Sequence, residues 1–183
     1  MTREEALALL KRQLKNKNLQ KHCLATEAVM RRLARRLGQD EELWGMAGLL
    51  HDIDYDLTRD DPAKHSLEGA RILEEAGLPQ EVVQAVKVHN ERHGLPRESM
   101  LEKALFAADP LTGFVVAAAL IRPEKRLAAV DVPFLLHRFK EKAFARGVNR
   151  EQLKTCAEIG LTLEDFLAIG LAAMQECAAE LGL

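Results

Sequence analysis

The chain has 183 residues, 48% hydrophobic and 30% charged, with a net charge of −2 at pH 7. That is the balance of one soluble globular domain, residues 1–183, and it excludes a disordered chain and a general electrostatic pull toward nucleic acid. No apolar run is expected to reach the roughly 18 residues that span a bilayer, and Cys23, Cys156 and Cys177 share no spacing for a disulfide framework or a thiolate zinc cluster.

Helix signals follow one another along the chain. Thr2-x-x-Glu5 is a capping box for a first amphipathic helix, a pattern unlike a secretory signal, so a cytoplasmic protein is expected. A second helix, about residues 19–37, carries His22, Ala25, Val29, Leu33 and Leu37 at helical spacing and stops at Gly38. Asp40 caps a third, residues 41 to about 51. Asp60, Asp61 and Pro62 mark a loop, "SLEGARILEEAGL" reads as a helix ending at Gly77, and Pro79 opens another that Gly94 closes. Ser99-x-x-Glu102 boxes the start of "MLEKALFAADPLTGFVVAAALI", and Asp131, Asn149 and Thr162-x-x-Asp165 start three more helices. The expected fold is an all-α, single-domain helical bundle without repeats. Between Arg122 and Lys154, nine Lys or Arg face four acids, a stretch that reads first as a solvated face and second as an anion-binding one.

Several polar residues sit where apolar ones are expected. Asp109 lies in the most apolar segment, where burying a lone carboxylate costs several kcal/mol. Pro110 disfavours helical geometry at Asp109 and leaves the Phe106 carbonyl without its helical donor, which predicts a kink. His22 and His51 share helix faces with Val29, Leu33, Leu49 and Leu50, so both point inward. With Asp52 and Asp109 they make four metal-competent groups from three helices. Two neutral imidazoles and two carboxylates suit a divalent transition ion such as Fe, Mn, Zn, Ni or Co.

This ordered set, His22, then His51-Asp52, then Asp109, resembles the HD domain superfamily of metal-dependent phosphohydrolases, over roughly residues 19–120. Residues 121–183 form a C-terminal helical extension that covers the site or makes a dimer face. The resemblance implies a metal site at those four residues. "HSLEGA" resembles the H-x-x-x-G-A segment of two-metal members, and His89 in "AVKVHN" resembles their next histidine. That implies a second ion on His65 and His89, with Asp52 bridging. The alternative reading makes His65 an N-terminal cap or loop residue and His89 a helix-end residue interacting with the dipole, and the second ion is favoured over it because the spacing matches in both places. His93, at a fraying end, and His137, in the basic stretch, are expected outside the site, and Cys23 in packing.

The chemistry implied is hydrolysis of a phosphate ester or anhydride of a small molecule, a nucleotide being favoured, by metal-activated water. Asp54, Asp56 and Glu68 are acid/base candidates by position, Asp54 being preferred. Arg122 and Lys64 are candidate phosphate-binding cations. Tyr55 is either a base-stacking residue or a helix-end anchor. "LIRPEKRLAAVD" is loosely similar to an arginine-containing stretch of the symmetrical diadenosine tetraphosphate hydrolases, but Pro110 stands where that family usually has a lysine or similar residue. With aromatics at 4% and no basic-aromatic track, the expected partners are a small phosphorylated substrate and, as one option, a second copy of the chain, with no nucleic-acid polymer and no membrane. Two rivals use the same residues: an HD-type di-iron oxygenase, and a non-catalytic sensor of metal or nucleotide.

Overall fold

A computed structural model describes residues 1–183. Eleven α-helices and three short 3₁₀ turns follow one another without a strand. The helices are α1 (Arg3–Gln13), α2 (Lys17–Leu37), α3 (Glu41–Leu50), α4 (Tyr55–Thr58), α5 (Leu67–Glu75), α6 (Gln80–Val88), α7 (Met100–Leu120), α8 (Val132–Lys140), α9 (Arg150–Lys154), α10 (Leu163–Glu176) and α11 (Ala178–Leu181). The fold is all-α, as the periodicity predicts.

Side-chain caps set most boundaries. Thr2 and Ser99 form reciprocal boxes with Glu5 and Glu102, and Asp40, Asp131, Asn149 and Thr162 each accept from a first-turn backbone N–H. Asn16 caps α2 two residues ahead of the expected start. The segment expected to stay helical up to Gly94 stops at Val88, and Glu91–His93 forms a separate 3₁₀ turn.

α7 is the central helix. It packs against α2, α3, α6, α8, α9 and α10, with Leu105, Leu111, Phe114 and Val115 fully buried. At 21 residues it is long and apolar enough to cross a membrane, which corrects the expectation that no segment reaches that length; here most of it is buried in the core. The chain stays helical through Asp109 and Pro110, so the proline lies inside one helix. The Phe106 carbonyl that Pro110 deprives of a donor accepts instead from Gln152 Nε2 at 2.8 Å, so α9 stabilises the interruption from outside.

One core of 47 buried residues runs from Ala6 on α1 to Leu181 on α11, and α10 and α11 both pack on α2. The α2–α3 hairpin is the tightest contact bearing on the site. A Cβ on Gly48 would stand 2.7 Å from the Thr26 carbonyl oxygen and 2.9 Å from Glu27 Cα, so only glycine lets the two backbones meet there. That approach brings His51, at the end of α3, up to His22 on α2.

Candidate metal centre

Six side chains from five parts of the chain converge. His22 projects from α2, His51 follows the last turn of α3, Asp52 comes next in the chain, His65 precedes α5, His89 follows α6, and Asp109 sits mid-way along α7. His51, Asp52 and His89 are buried, whereas the side chains of His22, His65 and Asp109 keep 21%, 18% and 30% of their surface. The cluster therefore has a buried floor at His51, Asp52 and His89 and is reached by solvent at His22, His65 and Asp109.

Each imidazole has its Nδ1 committed. His51 Nδ1–H donates to the Gly48 carbonyl at 2.9 Å and His89 Nδ1–H to the Val86 carbonyl at 2.6 Å, both acceptors lying in the last turn of the preceding helix. His65 Nδ1–H donates to Asp54 Oδ1 at 2.9 Å. Thr112 Oγ1 donates to the Asp109 carbonyl at 3.1 Å, so at 2.8 Å from His22 Nδ1 it accepts. These partners select one tautomer for all four rings and leave every Nε2 lone pair facing inward.

Asp52 divides those lone pairs into two groups. Its Oδ2 lies 3.6 Å from both His22 Nε2 and His51 Nε2; its Oδ1 lies 3.4 Å from His65 Nε2 and 3.6 Å from His89 Nε2. Asp109 Oδ1 joins the first group, 3.1 Å from His22 Nε2 and 3.7 Å from His51 Nε2. Donors held 2.0–2.2 Å from a common ion stand roughly 3 to 3.5 Å apart, so each group has the spacing to hold one. His22 Nε2 and His51 Nε2 are 3.0 Å apart. Two lone pairs at that distance repel unless a cation, either a proton or a metal ion, lies between them.

The electrostatics follow from the same contacts. Burial alone would lower the His51 pKa, but Asp52 and Asp109 outweigh it and bring it up to about 9. Burial would raise both carboxylates, yet His51, His89 and His22 hold Asp52 well below the usual range, and His22 and His51 do the same for Asp109. For His65, desolvation is again outweighed, here by Asp54 and Asp52, and the pKa rises.

The remaining candidates are placed elsewhere or differently. Asp54 is fully buried and accepts from His65 Nδ1–H, from Ser66 N–H at 2.8 Å and from Gly69 N–H at 2.8 Å. It faces the back of the His65 ring, so the acid/base role expected of it is corrected to a positioning one. Gly69 suits the close approach there, since a Cβ would come within 3.3 Å of the Asp54 carboxylate. Ser66 is held at φ 72°, a strained conformation for serine, with its hydroxyl donating to the Lys87 carbonyl at 2.9 Å. Arg122 is not brought to the cluster: it lies thirteen residues beyond Asp109, about 20 Å along a helical path, with its guanidinium over the Phe134 ring. Asp56 accepts from the backbone N–H groups of Lys15 and Asn16, Glu68 pairs with Arg71, and Lys64 pairs with Asp61. His137 sits at the surface beside Glu141, whereas His93 supports the site by donating from Nε2 to the His65 carbonyl at 2.7 Å. Cys23 is buried in packing, and burial raises its thiol pKa. Three of the nine residues of the basic stretch are committed within the chain, Arg138 to Glu141, Lys154 to Glu151, and Arg150 to the carbonyls of Phe144, Ala145 and Val148. Thr112 escaped the sequence reading, although its place one turn after Asp109 was a usable signal.

Comparison with known proteins places this geometry. A family model of the HD domain matches residues 19–113, just over half of the chain. The chain belongs to the HD domain family. Relatives are ribonuclease Y of Oleidesulfovibrio alaskensis, 31% identical over 98 residues that cover 54% of this chain and 18% of that protein, and of Thermus thermophilus, 31% identical over 137 residues, 73% and 24% respectively. Ribonuclease Y of Rubrobacter xylanophilus is 26% identical over 147 residues, 79% of this chain and 28% of the relative. The chain thus spans less than a third of the length of these relatives. Their name is that of an RNA-cleaving enzyme, which overturns the expected partner set: a purely small-molecule partnership that excluded nucleic-acid polymers rested on scarce aromatics, and an HD domain is carried by ribonucleases all the same.

Two outcomes are expected. Asp54→Ala leaves two buried N–H groups without an acceptor and the His65 tautomer unfixed. Stability should fall by about 3 kcal/mol in urea unfolding, and affinity for an ion at His65 and His89 about 10- to 100-fold; unchanged values for both would remove the positioning role. His51 has a folded pKa above its unfolded one, so its protonated form stabilises the metal-free protein fully below about pH 6.5, and that contribution is lost as pH rises through about 9. A metal ion must displace that proton, so affinity measured against a chromophoric chelator should rise about tenfold per pH unit across that window. A flat profile would contradict the assignment.

Proposed function

We propose that this HD domain is a metal-dependent phosphohydrolase with a two-ion centre. His22, His51, Asp52 and Asp109 would hold one ion and Asp52, His65 and His89 the second. The observation that carries this reading is the division of Asp52, one oxygen toward each pair of Nε2 atoms. A divalent ion bound there supplies Lewis acidity, which lowers the pKa of water and neutralises charge on a phosphoryl oxygen.

The chain's own residues account for the rest. The four Nδ1 hydrogen bonds orient the rings in advance, so little rearrangement accompanies loading. The buried floor around His51 and His89 keeps water out from below, and the half-open rim at His22, His65 and Asp109 leaves the cluster accessible to a substrate. With Asp54 committed to three donors, no free buried acid remains at the cluster, and proton exchange passes through that open rim.

The substrate proposed is a phosphate ester of a nucleotide unit, with RNA phosphodiesters first among them. The relatives named ribonuclease Y support that choice, and they favour hydrolysis over the oxygenase reading of the same donors. Chelator-stripped protein should not hydrolyse bis(p-nitrophenyl) phosphate or a short single-stranded RNA, and added Mn²⁺ should restore both activities. Asp109→Ala should lower kcat at least about 100-fold. Failure to cleave either substrate with any of Mn²⁺, Fe²⁺, Co²⁺, Ni²⁺ or Zn²⁺ would refute the proposal.

A further inference from the structure

Next to His65 lies a second feature that the two-ion reading does not use. The α4 to α5 connection and the turn after α6 enclose a cleft of about 170 Å³, lined among others by Tyr55, Arg59, His65, Asn90 and Arg92, with no carboxylate in its wall. Anything bound there abuts the ring that completes the second donor group.

The charges of this cleft are uncommitted. Arg3, Arg31, Arg32, Arg35, Arg71 and Arg138 are each paired with a glutamate. Arg92 has no acidic partner within ion-pair distance, and Arg59 has only a 3.7 Å contact with its neighbour Asp60, both side chains largely exposed. Such a contact is worth close to nothing in water. Two guanidiniums without a strong acidic partner therefore line the same cleft as His65, and a guanidinium is the side chain best matched to phosphate oxygens.

The cleft is also fastened to the centre. Asn90 Nδ2 donates to the His65 carbonyl at 3.2 Å while its Oδ1 accepts from Arg92 N–H at 3.1 Å, and His93 donates to the same His65 carbonyl. The backbone that carries Arg92 is thus tied to His65 itself. Tyr55 stands edge-on to the His65 ring, centroids 5.5 Å apart, and keeps 40% of its surface exposed. An exposed tyrosine face accepts the face of an unpaired base. At the other end of the donor row, His22 borders a larger cavity of about 410 Å³ shared with Lys21, Thr112 and Leu120. The donor row thus has space at both ends, as a strand longer than one nucleotide requires.

We infer that the Tyr55, Arg59 and Arg92 cleft is the subsite for the nucleotide flanking the cleaved phosphodiester of a single-stranded RNA, its base on Tyr55 and its phosphate on the two arginines. The inference rests on the phosphohydrolase reading above and extends it from the reacting phosphate to its neighbour. Single strands are specified because a duplex hides its base faces.

The test is fluorescence anisotropy on metal-loaded protein with a 5′-labelled hexauridylate whose phosphorothioate linkages resist cleavage. Arg92→Ala should weaken binding about tenfold and reduce the slope of log K against log salt by about 0.7, the loss of one phosphate contact to a single strand. Tyr55→Leu should weaken binding about tenfold with the slope unchanged, and should leave an abasic strand of the same length unaffected. Wild-type affinity in either variant would overturn the inference, as would uridine triphosphate binding as tightly as the hexamer. Because affinity is read without turnover, an absence of hydrolysis on the unmodified strand would count against the phosphohydrolase reading and leave these comparisons standing.

Discussion

The buried carboxylate of Asp52 is the constraint around which the molecule is organised. An ionised carboxylate with almost no solvent costs several kcal/mol unless opposite charge or donors surround it. Asp52 meets four imidazole Nε2 atoms, and each of those rings has its Nδ1 proton directed elsewhere. The usual hydrogen-bonding solution is thereby unavailable to any of the four rings while it is neutral. What satisfies the arrangement is positive charge: a proton on His51, whose raised pKa reports that demand, or metal ions that take every lone pair together.

The scaffold delivers this geometry by using helix ends. His51 and His89 each follow the last turn of a helix, where carbonyls of the final turn are in reach of Nδ1. His65 has no such helix end before it, and the fold supplies a carboxylate instead. Asp54 accepts from the ring and from two backbone N–H groups, and Ser66 adopts a positive φ to present one of them. A strained non-glycine residue costs of order 1–3 kcal/mol and persists only where its surroundings fix it, here Asp54 and the Lys87 carbonyl. Gly48 and Gly69 complete the device by letting α3 meet α2 and α5 meet Asp54.

How much of this could be read beforehand divides along range in sequence. The helices and their caps are local, and Thr2, Asp40, Ser99 and Thr162 announce them within four residues. The six donors were legible because His22, His51 and Asp109 interrupt apolar helix faces, where polar groups require partners, and because the HD pattern orders the set. The role of Asp54 was not legible, since it depends on the backbone angle at Ser66 and on two N–H groups twelve and fifteen residues away. The donor that replaces the one Pro110 lacks comes from Gln152, 46 residues from Phe106. Helical continuity through Pro110 is also why Arg122 lies far from the site, since an unbroken helix carries it away from Asp109. The Tyr55 and Arg92 cleft joins two segments that no periodicity connects.

The central claim is that one buried aspartate is shared by two ions. Elemental analysis of protein purified without a chelating tag tests it most directly, on the wild type and on the double variant His65→Ala, His89→Ala. The account predicts about two divalent ions per chain in the wild type and about one in the variant, because His22, His51, Asp52 and Asp109 remain a complete donor set. The same count in both proteins, or no ion in the wild type, would contradict it.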